Sequence, residues 1–191
     1  MYSVLKNYSS YFASFLQSSI IIVRFTRTGD LVFKVFKDSF IPFVFFAKYF
    51  GLALFRTMND FTAIDYPEKK NRFELALHLT SMNFNSRIRI KTTINELSSI
   101  QTISHLFASS NWLEREIFDL YGITFYKHTD LRRILTDYGF IGYPFRKDFP
   151  LSGFISARYN DLLKRVCFEK NEFAQEFRIF NSLSSWNQNN L

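Results

Sequence analysis

The strongest constraint on this chain is an alternation of apolar and polar residues between positions 72 and 94. Phe73, Leu75, Leu77 and Leu79 are interleaved with Arg72, Glu74, His78 and Thr80, and Ile88, Ile90 and Ile94 fall on the opposite phase to Arg87, Arg89 and Lys91. Side chains of a strand point alternately to opposite faces, so this spacing predicts two strands with one buried and one wet face. A short Asn-containing turn between them predicts an antiparallel hairpin. Such a hairpin cannot stand alone. Its apolar face needs another layer, and the sequence before it supplies one.

Residues 2–17 place Leu5, Tyr8, Phe12 and Leu16 at helical spacing. Residues 20–27 and 31–36 are rich in β-branched and aromatic side chains, with Gly29 and Asp30 between them as a turn. Phe40 to Phe55 is almost wholly apolar, and Asp38 or Ser39 is placed to cap a helix there. Pro42, Lys48 and Gly51 interrupt that run, which is also shorter than the ~18 residues expected of a membrane-crossing helix. A further strand falls within residues 53–65, closed by Tyr66-Pro67. The order helix, two strands, helix, three strands predicts an α+β fold of two layers, with helices against one sheet face.

Beyond the sheet, helices are expected at about 99–107 and 111–121. In the second, Leu113, Ile117, Leu120 and Tyr121 form an apolar stripe, Asn111 and Glu114 have the spacing of a capping box, and Gly122 is placed to end the helix in a left-handed conformation. From Gly122 onward lie four of the six Gly and two of the four Pro, and regular periodicity fades apart from a short helix expected at 130–135. Residues 1–125 therefore read as the α+β domain and 126–191 as an extended arm. Phe140, Tyr143, Phe145, Phe149 and Phe154 have no evident means of burial within an arm, which predicts docking on another protein.

The 191 residues suffice for one domain with a core. Phe alone numbers 25 against 6 Gly and 4 Pro, a bias toward A/T-rich codons of the kind an organelle genome imposes. The net charge of +7 suits an acidic partner, RNA or an anionic surface without choosing among them. Residues 1–29 contain no acid, carry Lys6, Arg24 and Arg27, and are Ser-rich. That composition is shared by transit peptides and by an ordinary first helix and strand, and the second reading is favoured here.

Chemistry-bearing constellations are scarce. One cysteine, Cys167, excludes internal disulfides and an iron–sulfur cluster held by four local thiolates, and His78, His105 and His128 are scattered. No phosphate-binding glycine loop occurs. Glu114, Glu116 and Asp119 lack a second carboxylate helix, so a structural or interface charge network is expected, with Arg115 reaching Asp119 one turn on. Arg132-Arg133 and Arg146-Lys147 are interleaved with aromatics, which suits RNA. Asp130, Asp137 and Asp148 in the same patches would repel phosphates, and mixed charge with rings favours a protein partner.

The most specific run is Glu114-Arg115-Glu116 with Asp119, then His128-x-Asp130-Leu131-Arg132-Arg133-Ile134-Leu135-Thr136-Asp137-Tyr138-Gly139-Phe140, then Arg146-Lys147-Asp148-Phe149-Pro150-Leu151. With Asp65-Tyr66-Pro67, Asn71-Arg72-Phe73-Glu74, Asn85-Ser86-Arg87-Ile88-Arg89 and the tail Gln175-Glu176-Phe177-Arg178, Phe180 and Trp186, it resembles NADH dehydrogenase subunit 9, the 30-kDa subunit of respiratory complex I. Thr129, Tyr143 and Ser185 depart from the family, which usually has Pro, His and Pro there. The resemblance implies a subunit of the matrix-side arm in the mitochondrial inner-membrane complex that binds no cofactor itself. It implies FMN, iron–sulfur clusters and ubiquinone in other subunits. It further implies contact with the quinone-site (49-kDa) subunit and neighbouring iron–sulfur subunits, and no nucleic acid. The partner-binding residues expected are Glu114, Arg115, Glu116, Asp119, His128, Asp130, Arg132, Arg133, Asp137, Tyr138, Arg146, Lys147, Asp148 and Phe149. An RNA-binding mitochondrial ribosomal protein is the alternative.

Overall fold

A computed structural model of the chain describes residues 2–26, 30–178 and 180. By their contacts they fall into two compact units, Met1–Phe149 and Pro150–Leu191. Arg27, Gly29, Ser185 and Trp186, named above, lie outside the described residues.

The first unit opens with helix α1 (Tyr2–Leu16), strands β1 (Ile20–Phe25) and β2 (Leu31–Val35), and helix α2 (Phe40–Tyr49). Strands β3 (Thr57–Asp65), β4 (Phe73–Ser81) and β5 (Ser86–Ile94) follow. This is the expected order, folded as a two-layer α+β domain. Ser39 precedes α2 without a side-chain capping bond, so Pro42 in the first turn and the apolar packing of Phe40, Phe43, Val44 and Ala47 carry that helix start. The β4–β5 hairpin turns through Asn85 at φ 43°, a conformation that Asn tolerates better than most residues.

The sheet order is β1-β2-β5-β4-β3, antiparallel throughout except that β2 and β5 run parallel. Register places Phe33 of β2 beside Ile90, Ile90 beside Leu77, and Leu77 beside Phe61. All four are buried, forming one row of the inner face. The helices close over it. Phe12 of α1, Phe33 of β2 and Phe43 of α2 meet with ring centroids 5.1–5.3 Å apart, and all three are fully buried. Such ring pairs contribute ~0.5–1.5 kcal/mol each beyond simple burial.

A second layer of detail lies beside β3. Strand β6 (Ile100–Gln101) pairs in parallel with β7 (Phe125–Tyr126), and helix α3 (Ser110–Tyr121) joins them. The helix expected at 99–107 is not formed. Its Ile100 and Thr102 amides donate instead to the Thr124 and Tyr126 carbonyls, and turns seat Ile103, Leu106 and Phe107 in the core. Helix α3 begins one residue before Asn111 and carries no side-chain N-cap, so the capping box is absent. Glu114 is engaged elsewhere. Gly122 does end the helix, at φ 77° and ψ 23°, donating to the Phe118 carbonyl.

The second unit is a hairpin of β8 (Ile155–Asn160) and β9 (Arg165–Lys170) followed by irregular chain. Cross-strand pairing puts Ile155, Ala157, Tyr159, Val166 and Phe168 on one face, and Ser156, Arg158, Asn160, Arg165 and Glu169 on the other.

Candidate partner-docking site

Helix α3 presents its carboxylates inward, which is unusual for acids and demands partners. Glu114 and Asp119 are both 0% exposed. Glu114 accepts the Thr102 hydroxyl at 2.5 Å and the Ile103 amide at 2.8 Å, pinning the β6 turn to the helix. Burial pushes its carboxyl above the ordinary value despite those bonds. The His128 ring lies beside it, Nε2 3.8 Å from the carboxylate, with the side chain 1% exposed. The Asp130 amide donates to His128 Nδ1, so in the neutral ring Nε2 carries the proton and faces Glu114.

Asp119 is a nest for the chain that follows. One oxygen accepts the amides of Ile134, Leu135 and Thr136 at 3.1, 2.6 and 2.9 Å, and the other accepts the Thr136 hydroxyl at 2.6 Å. Arg133 Nη1 is 3.5 Å away and donates to the Gly142 carbonyl. Burial pushes the Asp119 carboxyl up, but the hydrogen bonds outweigh it and hold the group below the usual value. Because these amides bond a carboxylate rather than carbonyls one turn back, the chain is irregular over 130–133 and bends at 134–136, and the short helix expected at 130–135 is not formed. The anticipated Arg115–Asp119 pair is also not formed. With Asp119 occupied, Arg115 donates through Nε to the Arg132 carbonyl and lies over the Trp112 ring.

A third cluster anchors residues 146–148. Asp65, at the end of β3, binds Arg72 through both oxygens at 2.8 and 2.9 Å and accepts the Lys147 amide at 2.8 Å. Arg72 also reaches Asp148 at 3.0 Å and Glu96 at 3.4 Å. Glu96 binds Arg146, whose Nε donates to the Tyr121 carbonyl at 2.7 Å. The Arg72 bond is the main cause holding Asp65 below the usual carboxylate range, and Arg72 is correspondingly raised. Both guanidinium groups lie over Phe73.

The residues singled out from sequence thus divide into two sets. Glu114, Arg115, Asp119, His128, Arg133, Arg146, Asp148 and, through its amide, Lys147 are fastened to their own domain, which continues through Phe149. Phe149 packs against Phe140 and over Gly142, where a Cβ would meet its ring at 2.6 Å. The arm expected from residue 126 is therefore bonded to α3 and β3 as far as position 149. Glu116 is half-buried, while Asp130, Arg132, Asp137 and Tyr138 face outward. Among the described residues the Arg132 side chain pairs with the exposed Asp130 alone, at 2.9 Å. Leu135, Ile141 and Phe145 are exposed beside them. Asp65, Arg72, Glu96 and Thr102 were missed as site residues. Asp65 and Arg72 stood in the quoted sequence blocks, and only the fold shows what they hold. Among the described residues no group of three His, Cys, Asp or Glu side chains is placed to hold a metal, and no helix is long and apolar enough to cross a membrane.

The model of a family described as respiratory-chain NADH dehydrogenase, 30 Kd subunit, matches residues 33–155, which take in most of β2, all of α2, β3, β4, β5 and α3, and the whole bonded strap. The chain belongs to that family. NADH-ubiquinone oxidoreductase subunit 9 of Prototheca wickerhamii is 45% identical over 163 residues, covering 85% of each chain. The protein of the same name in Reclinomonas americana is 47% identical over 160 residues, covering 84% of this chain and 78% of that one. A chain in the solved structure of the membrane-bound sulfane sulfur reductase, an archaeal respiratory membrane complex, shares the fold at TM-score 0.65. It is 24% identical and the likeness covers 76% of this chain and 85% of that one. The ribosomal alternative receives no support from these relatives. As a 30 Kd subunit of respiratory-chain NADH dehydrogenase, the chain spends its buried acids on rigidity: the Asp119 nest and the Asp65 cluster fix a loop-rich strap without regular structure.

Proposed function

We propose that this chain is a cofactor-free structural subunit of the matrix-side arm of mitochondrial complex I. In this reading it braces the quinone-site (49-kDa) subunit and the neighbouring iron–sulfur subunits, and its contribution to electron transfer from NADH to ubiquinone is positional. FMN, the iron–sulfur clusters and the quinone belong to its neighbours. The observation that carries the proposal is the second unit. Its hairpin leaves Ile155, Tyr159, Val166 and Phe168 more than half exposed on one face, with Phe154, Leu162, Phe173 and Phe177 exposed around it. A two-stranded ribbon is marginal in water without something to pack against, and an apolar patch of this kind marks an interface. The outward Arg132, Leu135, Tyr138, Ile141 and Phe145 of the strap add the Arg and aromatic anchors typical of protein interfaces.

The test is a pair of substitutions, Phe168→Asp and Tyr138→Asp, in cells that assemble the complex. Both side chains are solvent-exposed, so the first unit should retain its melting behaviour while the chain is lost from the native complex I band. Normal assembly of both variants, with normal NADH:ubiquinone activity, would refute docking through these faces.

A further inference from the structure

The outer face of the five-stranded sheet is left open by both helices, and its charges are arranged in a way the fold alone does not explain. Lys34 of β2 and Lys91 of β5 are directly opposed in the parallel pair. Like charges opposite one another on adjacent strands are destabilising. Lys91 is relieved by Glu74, whose oxygen is 2.6 Å from its Nζ. Lys34 has no such acid among the described residues. In the next row Val32 lies between Arg24 and Arg89. The Arg89 Nε is buried, without a hydrogen-bond partner among the described residues. Between β1 and β5 these groups line a groove together with Val32 and the exposed Ile22, which the register puts on the same face.

We propose that this groove docks an acidic segment of a neighbouring subunit, one that carries carboxylates for Lys34 and Arg89 and an apolar side chain for Val32. Charge complementarity selects the occupant. Among the described residues that line it, the groove sets Arg24, Lys34, Arg89 and Lys91 against one acid, Glu74, which is already bound to Lys91. Val32 and the exposed Ile22 in the lining suit an apolar side chain of a peptide segment, and a nucleic acid is the competing occupant that the nuclease arm of the test below detects. Carboxylates placed against the Lys34 ammonium and the half-buried Arg89 guanidinium would pair these charges and offset the Lys34–Lys91 repulsion. The choice of a subunit as occupant rests on the function proposed above; the groove and its unmatched charges do not.

The experiment uses the native assembly. Lysine acetylation followed by mass spectrometry compares Lys34 in the assembly band with Lys34 in the purified chain, and zero-length carbodiimide coupling identifies the carboxylate partner. Lys34 should be modified on the order of tenfold more slowly in the assembly, as expected for a charge engaged at an interface. It should also couple to Asp or Glu residues within one short segment of another subunit. A Lys34→Glu, Arg89→Glu double variant should weaken incorporation, and reversing the linked acids to Lys should restore it, a rescue that a merely misfolded chain would not show. Equal acetylation rates, with coupling confined to this chain, would overturn the proposal. So would protection that nuclease treatment abolishes. Loss of the chain from the assembly band would instead indict the structural-subunit reading, and the band itself distinguishes the two failures.

Discussion

Replacing Asp119 with Ala should loosen the strap without unfolding the sheet. The side chain is fully buried and accepts four hydrogen bonds, three of them from consecutive amides. Hydrogen bonds to a charged group contribute ~1.5–3 kcal/mol each when measured singly. Their sum overstates the loss here, because Leu135 is exposed and the released amides can turn toward water. Removing one member of a buried charge network costs ~3–5 kcal/mol, and the lower end suits a segment that can relax. For a unit of this size that corresponds to roughly 6–12 °C in Tm. Asp119→Asn keeps one acceptor oxygen in place and should cost less, about 1–2 kcal/mol. The two variants also differ from the parent in acid. A carboxyl held below its unfolded value stabilises above that value and loses its contribution as pH falls through the folded pKa. Both substitutions should therefore flatten the acid limb of the stability profile. Amide hydrogen exchange provides the site-specific readout, and protection at residues 134–136 should collapse in Asp119→Ala while β4 and β5 remain protected. Unchanged exchange at those three amides, with an unaltered melting temperature, would refute the latch.

Arg72→Ala strands the buried Asp65, so denaturant unfolding should show a loss of ~3–5 kcal/mol at neutral pH. Because Asp65 is held below the usual range, that penalty should shrink as pH falls and the carboxyl protonates. Glu114→Gln should behave in the opposite sense. Burial raises the Glu114 carboxyl, so the parent loses stability as pH rises through its folded pKa, whereas the amide variant should show no such decline in pH-dependent unfolding. Gly122→Ala forces a side chain into the left-handed region and brings Cβ to 2.7 Å from the Tyr143 ring. Backbone strain alone costs ~1–3 kcal/mol, and a melting curve should show at least that loss, with increased exchange at the Phe145 amide that bonds the Leu120 carbonyl.

The sheet was legible because its signal is local: the alternation in β4 and β5 and the β-branched runs of β1 and β2 survive whatever packs on them. The parallel pairing of β2 with β5 was not, since it depends on a contact between segments far apart in sequence. Residues 99–107 and 130–135 misled for one shared reason. Their amides are satisfied by a neighbouring strand or by a side-chain carboxylate, and neither competitor shows in helical periodicity. The second hairpin was missed although Ile155, Ala157, Tyr159, Val166 and Phe168 alternate in the sequence. Its uncovered apolar face gave no core to anchor the reading. At the site, residue types pointed correctly to a charge network, but not to which charges face inward. Arg146 and Arg133 turned out to serve their own domain, while Arg132 stayed exposed.

The proposed function requires that this chain, a member of the respiratory-chain NADH dehydrogenase 30 Kd subunit family, reside in a respiratory NADH:quinone oxidoreductase. Native-gel separation of detergent-solubilised mitochondrial membranes, followed by quantitative mass spectrometry of every slice, tests it most directly. The chain should peak with NADH dehydrogenase activity, in a constant ratio to the quinone-site subunit, and disappear from that slice when the complex is dissociated. A profile that tracks ribosomes, or that runs as a lone chain away from the active band, would contradict it.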